Sequence, residues 1–226
     1  MNSTWNEHGW YLASLLDDEE ILNGRKELDR LFLNTDRTII RNLHLKSKYF
    51  NDLMKNKKII NLVEEFIEDK VDALQTWSYL KPPGELGRDI HQNVFYTKTE
   101  PNGILNISIS FDEEIKSNGC LFVYDKSHIL DELPINIDEE RLITNQIGWS
   151  NERGSACVMP KNYNFKKVYI ERKAGSCMFI HSHLVHGSDS NLSKSRFRRS
   201  FLVGYIKRGI YFRSGHSMKR EVINVY

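Results

Sequence analysis

Two histidines and a group of arginines are the residues of this chain whose types and spacing could do chemistry. His91 is followed two residues later by Asn93, and His186 closes the run 175–186 just before a Gly-Ser turn. Arg198 lies in an arginine-rich stretch shortly afterwards. Two imidazoles and a carboxylate on one face of a non-haem iron leave three coordination positions open. A keto acid and dioxygen can take those positions, and an arginine can hold the far carboxylate of the keto acid through two parallel hydrogen bonds.

The spacing around His91 predicts where its neighbours point. Side chains two residues apart in an extended strand lie on the same side of that strand. We therefore expect Asn93 to share one side with His91, and Asp89 has the same parity. His186 comes from a distant segment, so the fold has to bring the two histidines together.

The first third of the chain predicts helices. Residues 17–20 form an acidic cluster, which suits a helix start because of side-chain capping and the helix dipole. Apolar residues then recur at helical spacing in two segments, which predicts two packing surfaces. The first segment contains Ile21, Leu22, Leu28, Leu31 and Phe32, and the second contains Ile59, Ile60, Leu62, Val63, Phe66 and Ile67.

From about residue 71 the apolar period becomes that of strands. Apolar and polar residues alternate over 105–111, which predicts a strand with one buried face. Further strands are predicted at 71–79, 120–124, 167–172, 176–181 and 199–207, separated by turn signals such as Pro82-Pro83-Gly84. Helices first and many short strands afterwards predict an α+β, mainly β domain whose strands form a sandwich or jelly roll.

Composition limits the class of protein. The 226 residues are 40% hydrophobic and 27% charged with a formal net charge of +2, which predicts one globular domain over residues 1–226. So small a charge argues against a nucleic-acid binder, and no apolar run approaches the length of a membrane span. The N-terminus lacks the basic start and apolar core of a signal peptide. The three cysteines are too few and scattered for a disulfide framework, so a reducing cytoplasm is the expected compartment.

Four ordered segments resemble one family. They are His8-Gly9-Trp10-Tyr11, the stretch from Lys81-Pro82-Pro83-Gly84 to His91-Gln92-Asn93, the stretch from Asn118-Gly119-Cys120-Leu121 to Lys126-Ser127-His128, and the stretch from Ala174-Gly175-Ser176 to Arg198-Arg199. As a set they are similar to the phytanoyl-CoA dioxygenase-type iron(II)/2-oxoglutarate oxygenases. The resemblance implies a double-stranded β-helix, which is a cupin-like jelly roll, with flanking N-terminal helices. It also implies iron(II), 2-oxoglutarate as cosubstrate, and hydroxylation of a small molecule.

The resemblance implies that His91 and His186 are the imidazole ligands of iron. It places Asn93 where the family has an aspartate, and an amide oxygen brings no charge to a cation that prefers anionic oxygen. Four interpretations stay open. Asn93 still ligates a weaker iron; Asp89 or Glu100 substitutes for it; chloride occupies the vacant position, as in halogenating relatives; or the site has kept only a binding role.

The cosubstrate site is also implied by the resemblance. Arg198 would bind the far carboxylate of 2-oxoglutarate with help from Ser188, while Arg196 and Arg199 remain alternatives for that role. Gln75 sits where some relatives contact the cosubstrate with a glutamine. The long segment 131–166 is weakly patterned, and such loops are either functional lids or surface decoration. Its Trp149, Arg153 and Lys161 are candidates for lining a substrate pocket, with exposure on the surface as the alternative.

Three functions remain in competition on this sequence. An iron(II)- and 2-oxoglutarate-dependent oxygenase is favoured by the two histidine motifs and the closing arginine. A non-catalytic or metal-impaired binding protein on the same fold is the alternative that Asn93 suggests. A cupin-like isomerase or lyase that uses another metal is the third.

Overall fold

The computed structural model describes residues 3–33, 35, 37–135, 157–215 and 219–226. Within them the chain forms five α-helices and ten β-strands. The helices are α1 (Ser3–His8), α2 (Asp18–Phe32), α3 (Lys48–Met54), α4 (Lys57–Ile67) and α5 (Val94–Thr97). The strands are β1 (Trp10–Ser14), β2 (Ile39–Arg41), β3 (Val71–Lys81), β4 (Arg88–His91), β5 (Ile104–Ser110), β6 (Leu121–Tyr124), β7 (Lys167–Tyr169), β8 (Ser176–His181), β9 (His186–Ser188) and β10 (Arg198–Lys207).

The strands make two antiparallel sheets that face each other. The major sheet has six strands in the order β1-β8-β5-β10-β3-β2, and the minor sheet has four in the order β4-β9-β6-β7. Val123 of the minor sheet and Met178 and Ile180 of the major sheet belong to one apolar cluster, so the space between the sheets is an interior. The predicted α+β, mainly β jelly roll with N-terminal helices is confirmed.

The helices cover the outer face of the major sheet. The two predicted helices are α2 and α4, and α2 begins with a capping box in which Asp17 and Glu20 each accept a backbone N–H of the other at 2.9 Å. Leu28 of α2 is fully buried in the core that the helices share with this sheet. Leu22 was expected on the same face, but it is 47% exposed. It lies about 100° around the helix from Ile21, which packs against the core.

The expectation of one buried and one solvated face on β5 is wrong, because both faces are buried. Leu105, Ile107 and Ile109 pack into the helix-covered core. Asn106, at 5% exposure, and Ser108, at 2%, lie on the opposite face and are just as inaccessible. They line the interior between the sheets, so the alternation in the sequence separates a helix-packed face from a polar interior.

The interior has an apolar half and a polar half. The apolar half lies between β1 and β8 on one side and β6 and β7 on the other, and includes Leu12, Met178, Ile180 and Val123. The polar half lies on β3, β10 and β5 of the major sheet. By strand alternation it carries Gln75, Trp77, Tyr79, Lys81, Arg198, Ser200, Gly204, Asn106, Ser108 and Ser110. Polar groups on the buried interior face of a jelly roll are of the kind that orient a bound ligand.

The described part of the chain contains no helix with the length and apolar character needed to cross a membrane. Trp149 and Arg153 lie outside the described residues, so the pocket-lining role considered for them stays a prediction. Lys161 is exposed at a turn.

Candidate metal and cosubstrate site

The fold brings the two predicted histidine ligands together. His91 ends β4 and His186 begins β9, and the two residues are direct partners in the antiparallel register. Their ring centroids are 4.3 Å apart. Nδ1 of His91 donates to the carbonyl oxygen of Asp89 at 2.8 Å, and Nδ1 of His186 donates to that of Leu184 at 2.8 Å. Because Nδ1 carries the proton in both rings, Nε2 presents its lone pair, which is the atom that a metal needs.

Burial keeps both imidazoles neutral. It lowers the pKa of His186 to about 3, with His91 as a second cause. Burial is also the main cause that lowers the pKa of His91, followed by the hydrogen bond to Asp89, which acts in the opposite direction. Neutral imidazole is the form that binds metal, so neither ligand has to lose a proton at ordinary pH.

Asn93 follows His91 along a backbone path that strand parity did not predict. The strand β4 ends at His91, and Asn93 has helical dihedrals (φ −68°, ψ −30°) as the residue that precedes α5. The expectation that it continues an extended segment is therefore wrong. Its side chain is only 8% exposed, and Nδ2 has no hydrogen-bond partner within the described residues. A buried N–H donor without an acceptor indicates an unfilled contact at this amide, and the amide itself is neutral.

The two acids considered as substitutes do not complete the site. The described ranges hold no group of three histidine, cysteine, aspartate or glutamate side chains that could bind a metal. Asp89 contributes its backbone carbonyl to His91, and Glu100 is exposed. Among the described residues, neither acid therefore joins the two imidazoles, and Asn93 stays the predicted third ligand.

Arg198 has the properties expected of a carboxylate clamp. It begins β10, is 3% exposed, and within the described chain neither Nε nor Nη1 has a hydrogen-bond partner. The carboxylate oxygen Oε2 of Glu114 lies 3.8 Å from Nη1. Glu114 is itself paired with Arg172 at 2.9 Å, so the carboxylate is shared by two guanidinium groups. One buried cation therefore remains available to an incoming anion.

The two alternative arginines are already bound to acids. Arg199 lies on the opposite face of β10 and pairs with Asp112 at 2.9 Å and Asp29 at 2.7 Å. Arg196 pairs with Glu113 at 2.7 Å on the surface. Of the three arginines, the interior site contains Arg198.

Lys81 is a site residue that the sequence argument did not single out. It is the direct register partner of Arg198 and is 4% exposed. Its Nζ donates to Oγ of Ser188 at 3.0 Å and to the carbonyl oxygen of Asp189 at 2.8 Å. Burial, together with the charge of Arg198, lowers the pKa of this amine to about 6. The sequence does contain a signal for Lys81, because it shares strand parity with Gln75 and would lie on the same buried face. A lysine on a buried face needs a hydrogen-bond or charge partner.

The structure does not bring Gln75 to the arginine end. Gln75 faces Gly204 in the register between β3 and β10, six positions from the pair formed by Lys81 and Arg198. Six residues of strand span about 20 Å. A five-carbon keto acid anchored at Arg198 is much shorter than that distance.

Gln92 was missed as the residue that fixes the turn beside the ligands. It is 1% exposed, and its Nε2 donates to the carbonyl oxygen of His183 at 2.7 Å while Oε1 accepts the N–H of Leu133 at 2.7 Å. The first bond joins the segment between His91 and Asn93 to the loop before His186, and the second joins it to the segment that contains Leu133. Nothing in the spacing predicted this anchor, because the carbonyl partner is not visible in a sequence.

Comparison with known proteins identifies the family. The family model described as Phytanoyl-CoA dioxygenase (PhyH) matches residues 18–200. A phytanoyl-CoA dioxygenase of Arabidopsis thaliana is 29% identical over 163 residues, which are 71% of this chain and 54% of the relative. A probable alpha-ketoglutarate-dependent hypophosphite dioxygenase of Stutzerimonas stutzeri is 24% identical over 174 residues, 74% of this chain and 56% of the relative. The chain thus spans about half the length of these relatives.

Solved structures share the fold. The epimerase SnoN in complex with Fe3+, alpha ketoglutarate and nogalamycin RO has a TM-score of 0.77 at 16% identity, covering 98% of this chain and 93% of SnoN. HygX from Streptomyces hygroscopicus with nickel and 2-oxoglutarate bound has a TM-score of 0.70 at 11% identity, covering 96% and 94%. The likeness to the structures concerns the fold, and the match of the family model over residues 18–200 confirms the resemblance seen in the motifs. The chain belongs to the phytanoyl-CoA dioxygenase (PhyH) family.

Proposed function

We propose that this chain is an iron(II)- and 2-oxoglutarate-dependent oxygenase that acts on a small molecule. The observation that carries the proposal is the combination of two paired, neutral histidines with a buried arginine whose Nε and Nη1 have no hydrogen-bond partner in the described residues. Iron(II) with 2-oxoglutarate supplies oxidation of a C–H bond by dioxygen, coupled to conversion of the keto acid to succinate and carbon dioxide.

The residues present fit both groups, with unequal strength. Nε2 of His91 and Nε2 of His186 would hold the iron, and the amide oxygen of Asn93 would be the neutral third ligand. Because a hard divalent cation prefers anionic oxygen, this donor set favours iron binding of reduced affinity. Arg198 would hold the far carboxylate of 2-oxoglutarate, with Oγ of Ser188 as a second donor.

Side chains and backbone groups of the chain itself would position the metal and the cosubstrate. Lys81 fixes the hydroxyl of Ser188 through the 3.0 Å hydrogen bond. The two backbone carbonyls that accept from Nδ1 fix the tautomer and orientation of the histidine rings. The apolar half of the interior excludes water beside the site. Orientation in a water-poor cavity is the contribution that a protein makes to cofactor chemistry of this kind.

The structural neighbours support a small molecule as the substrate, and the reactions named for them include outcomes other than hydroxylation. SnoN is described as an alpha ketoglutarate dependent epimerase and SnoK as a carbocyclase. Hydroxylation is the outcome that we propose for this chain. The compartment we propose is the cytoplasm, since Cys120, Cys157 and Cys177 are all buried and free.

The test is turnover by the purified protein after anaerobic loading with iron(II). We expect consumption of 2-oxoglutarate and release of an equal amount of succinate after addition of dioxygen. The variant His186→Ala is expected to abolish both, while Arg199→Lys, on the outer face of β10, serves as the folded control. Absence of iron binding and of succinate from the native protein would refute the proposal.

The second candidate function is a metal-impaired binding protein on the same fold, and Asn93 is the observation that favours it. It predicts binding of 2-oxoglutarate or a small molecule with little retained metal. The change Asn93→Asp separates the two candidates. A silent native site should gain turnover from the restored carboxylate, whereas a working site adapted to asparagine should lose it. For the third candidate, an isomerase or lyase that uses another metal, elemental analysis of the purified protein would show that metal in place of iron.

A further inference from the structure

The polar half of the interior is ordered along the strands. At one end of the interior, Lys81 of β3 is hydrogen-bonded to Ser188. The chain that follows Ser188 stays at this end, because Asn191 donates to the carbonyl oxygen of Lys81 at 3.0 Å. His186 therefore lies on the other side of Ser188, toward the opposite end of the interior. The proposed anchor of the cosubstrate is at the Lys81 end.

The opposite end of the interior carries a second polar group. Strand β8 ends at His181, and the short turn to β9 contains the hydrogen bond from Leu184 N to the His181 carbonyl at 3.0 Å. The end of β8 and the start of β9 are therefore at the same end of the barrel. In the major sheet, Ile180 at that end is paired with Asn106. The histidine pair therefore lies toward the end of the interior that carries Asn106, and away from Arg198.

Three neighbouring strands meet at this position. Gly204 of β10 is the register partner of Gln75 on β3 and of Asn106 on β5. A Cβ added at Gly204 would lie 3.0 Å from Oδ1 of Asn106 and 3.5 Å from Cγ of Gln75. Gly204, Gln75 and Asn106 thus form one row across the three strands, here called the Gly204 row, in which the missing side chain of Gly204 lets the two amides come close together.

Three polar atoms in or next to the Gly204 row have no hydrogen-bond partner in the part of the chain that is described. Oε1 of Gln75 and Oδ1 of Asn106 are buried acceptors without a donor, and Nε1 of Trp77 is a buried donor without an acceptor. The three side chains are 8%, 5% and 8% exposed, respectively. Trp77 faces Leu202, the next inward position of β10 toward Arg198. Buried polar atoms in folded proteins are almost always paired, so three unpaired atoms in one region indicate an absent ligand.

We propose that Gln75, Asn106 and Trp77, spaced by Gly204, form the recognition site for the primary substrate, and that this substrate carries hydroxyl groups. The inference rests on the proposed function and specifies its substrate class. A hydroxyl group can donate to an amide oxygen and accept from the indole N–H at once. An ammonium group can only donate, and an acyl chain would leave all three atoms unsatisfied.

The assignment separates Gln75 from the cosubstrate. The distance of about 20 Å along β3 between Gln75 and Lys81 exceeds the reach of a keto acid held at Arg198. The histidine pair lies toward the Gly204 end, so a substrate bound at the Gly204 row would lie beside the proposed metal, and a cosubstrate held at Arg198 would extend toward it from the other end.

The experiment measures binding, so it does not depend on turnover. Saturation-transfer NMR would compare methyl glucoside as the hydroxyl probe, putrescine as the ammonium probe and octanoyl-CoA as the acyl probe. Binding of 2-oxoglutarate with nickel(II) would be measured in parallel by calorimetry. We expect native protein to bind the glucoside in preference to the other probes, Asn106→Leu to weaken that binding at least fivefold, and Gly204→Ala to weaken it less.

The matched variant is Arg198→Met, which is expected to lose 2-oxoglutarate and keep the glucoside, the reverse of Asn106→Leu. Failure of all hydroxyl binding, or preference for octanoyl-CoA or putrescine, overturns the inference. Loss of 2-oxoglutarate affinity in Asn106→Leu while its melting temperature is retained also overturns it, by assigning the row to the cosubstrate. If native protein binds the glucoside but no 2-oxoglutarate, the proposed function fails and the hydroxyl site stands.

Discussion

His91 and His186 lie opposite each other in two neighbouring strands, with ring centroids 4.3 Å apart and each Nδ1 bonded to a carbonyl oxygen two residues earlier in its own chain segment. The same local device on both strands orients two Nε2 lone pairs. Such outer hydrogen bonds fix the tautomer of a histidine ligand and are part of a metal site. The pair therefore has the preorganisation of a metal site before any metal binds.

Removal of either histidine should weaken metal binding strongly. We expect His91→Ala and His186→Ala each to weaken nickel(II) binding by more than tenfold, or about 1.4 kcal/mol. Calorimetric titration of the apoprotein measures this directly. His8→Ala is the matched control, because His8 bonds to Asp125 away from the site. Equal metal affinity in all three variants would show that the histidine pair is structural.

We predict that the neutral amide of Asn93 limits the affinity of the proposed metal site. Its amide is buried but neutral, so Asn93→Asp adds a charge beside the two imidazoles at nearly constant volume. We expect iron(II) and nickel(II) to bind at least tenfold more tightly, a gain of about 1.4 kcal/mol or more. The companion variant Asn93→Ala should bind metal more weakly than the native protein if the amide oxygen is a ligand. Unchanged affinity in both variants would remove Asn93 from the metal site.

Arg198 should account for most of the cosubstrate affinity. Its guanidinium is buried, so loss of the charge leaves the far carboxylate of 2-oxoglutarate desolvated without a cation. We expect Arg198→Met to weaken 2-oxoglutarate binding by about 2–5 kcal/mol, the usual cost of truncating one partner of a buried charge pair. Arg199→Met, which removes a guanidinium bound to Asp112 and Asp29, should leave this affinity within about threefold, or 0.7 kcal/mol. The reverse order of effects would return the clamp to Arg199.

The sequence predicted the parts of this site that depend on residue type, and missed the parts that depend on backbone path. His91, His186 and Arg198 were identifiable because their motifs and order are distinctive. The route to Asn93 was not, since strand parity gives no sign that β4 ends at His91 and a helix begins beside Asn93. The alternation over β5 identified the strand, but periodicity cannot tell a solvated polar face from a polar interior. Lys81 shares strand parity with Gln75 but was overlooked because the predicted strand ended at residue 79, and the register with Arg198 then places it on the inner face.

Lys81 makes the free energy of unfolding depend on pH. Burial and the neighbouring Arg198 lower the pKa of its amine to about 6, whereas an unfolded lysine has a pKa of about 10.4. Between these values the folded chain holds a neutral amine and the unfolded chain a protonated one. Unfolding takes up a proton, so the free energy of unfolding rises with pH through this window, by up to about 1.4 kcal/mol per pH unit from this group.

Urea denaturation at pH 6.5 and pH 8.5 tests this assignment with Lys81→Met, which keeps the length of the side chain and removes the charge. The native protein should gain stability relative to the variant as the pH rises, by about 1–3 kcal/mol over the two units. Lys58→Met, at an exposed position of α4, is the control and should show no such difference. Parallel pH profiles for the native protein and Lys81→Met would mean that Lys81 stays protonated in the fold, and that the hydroxyl of Ser188 is held by an ammonium group at neutral pH.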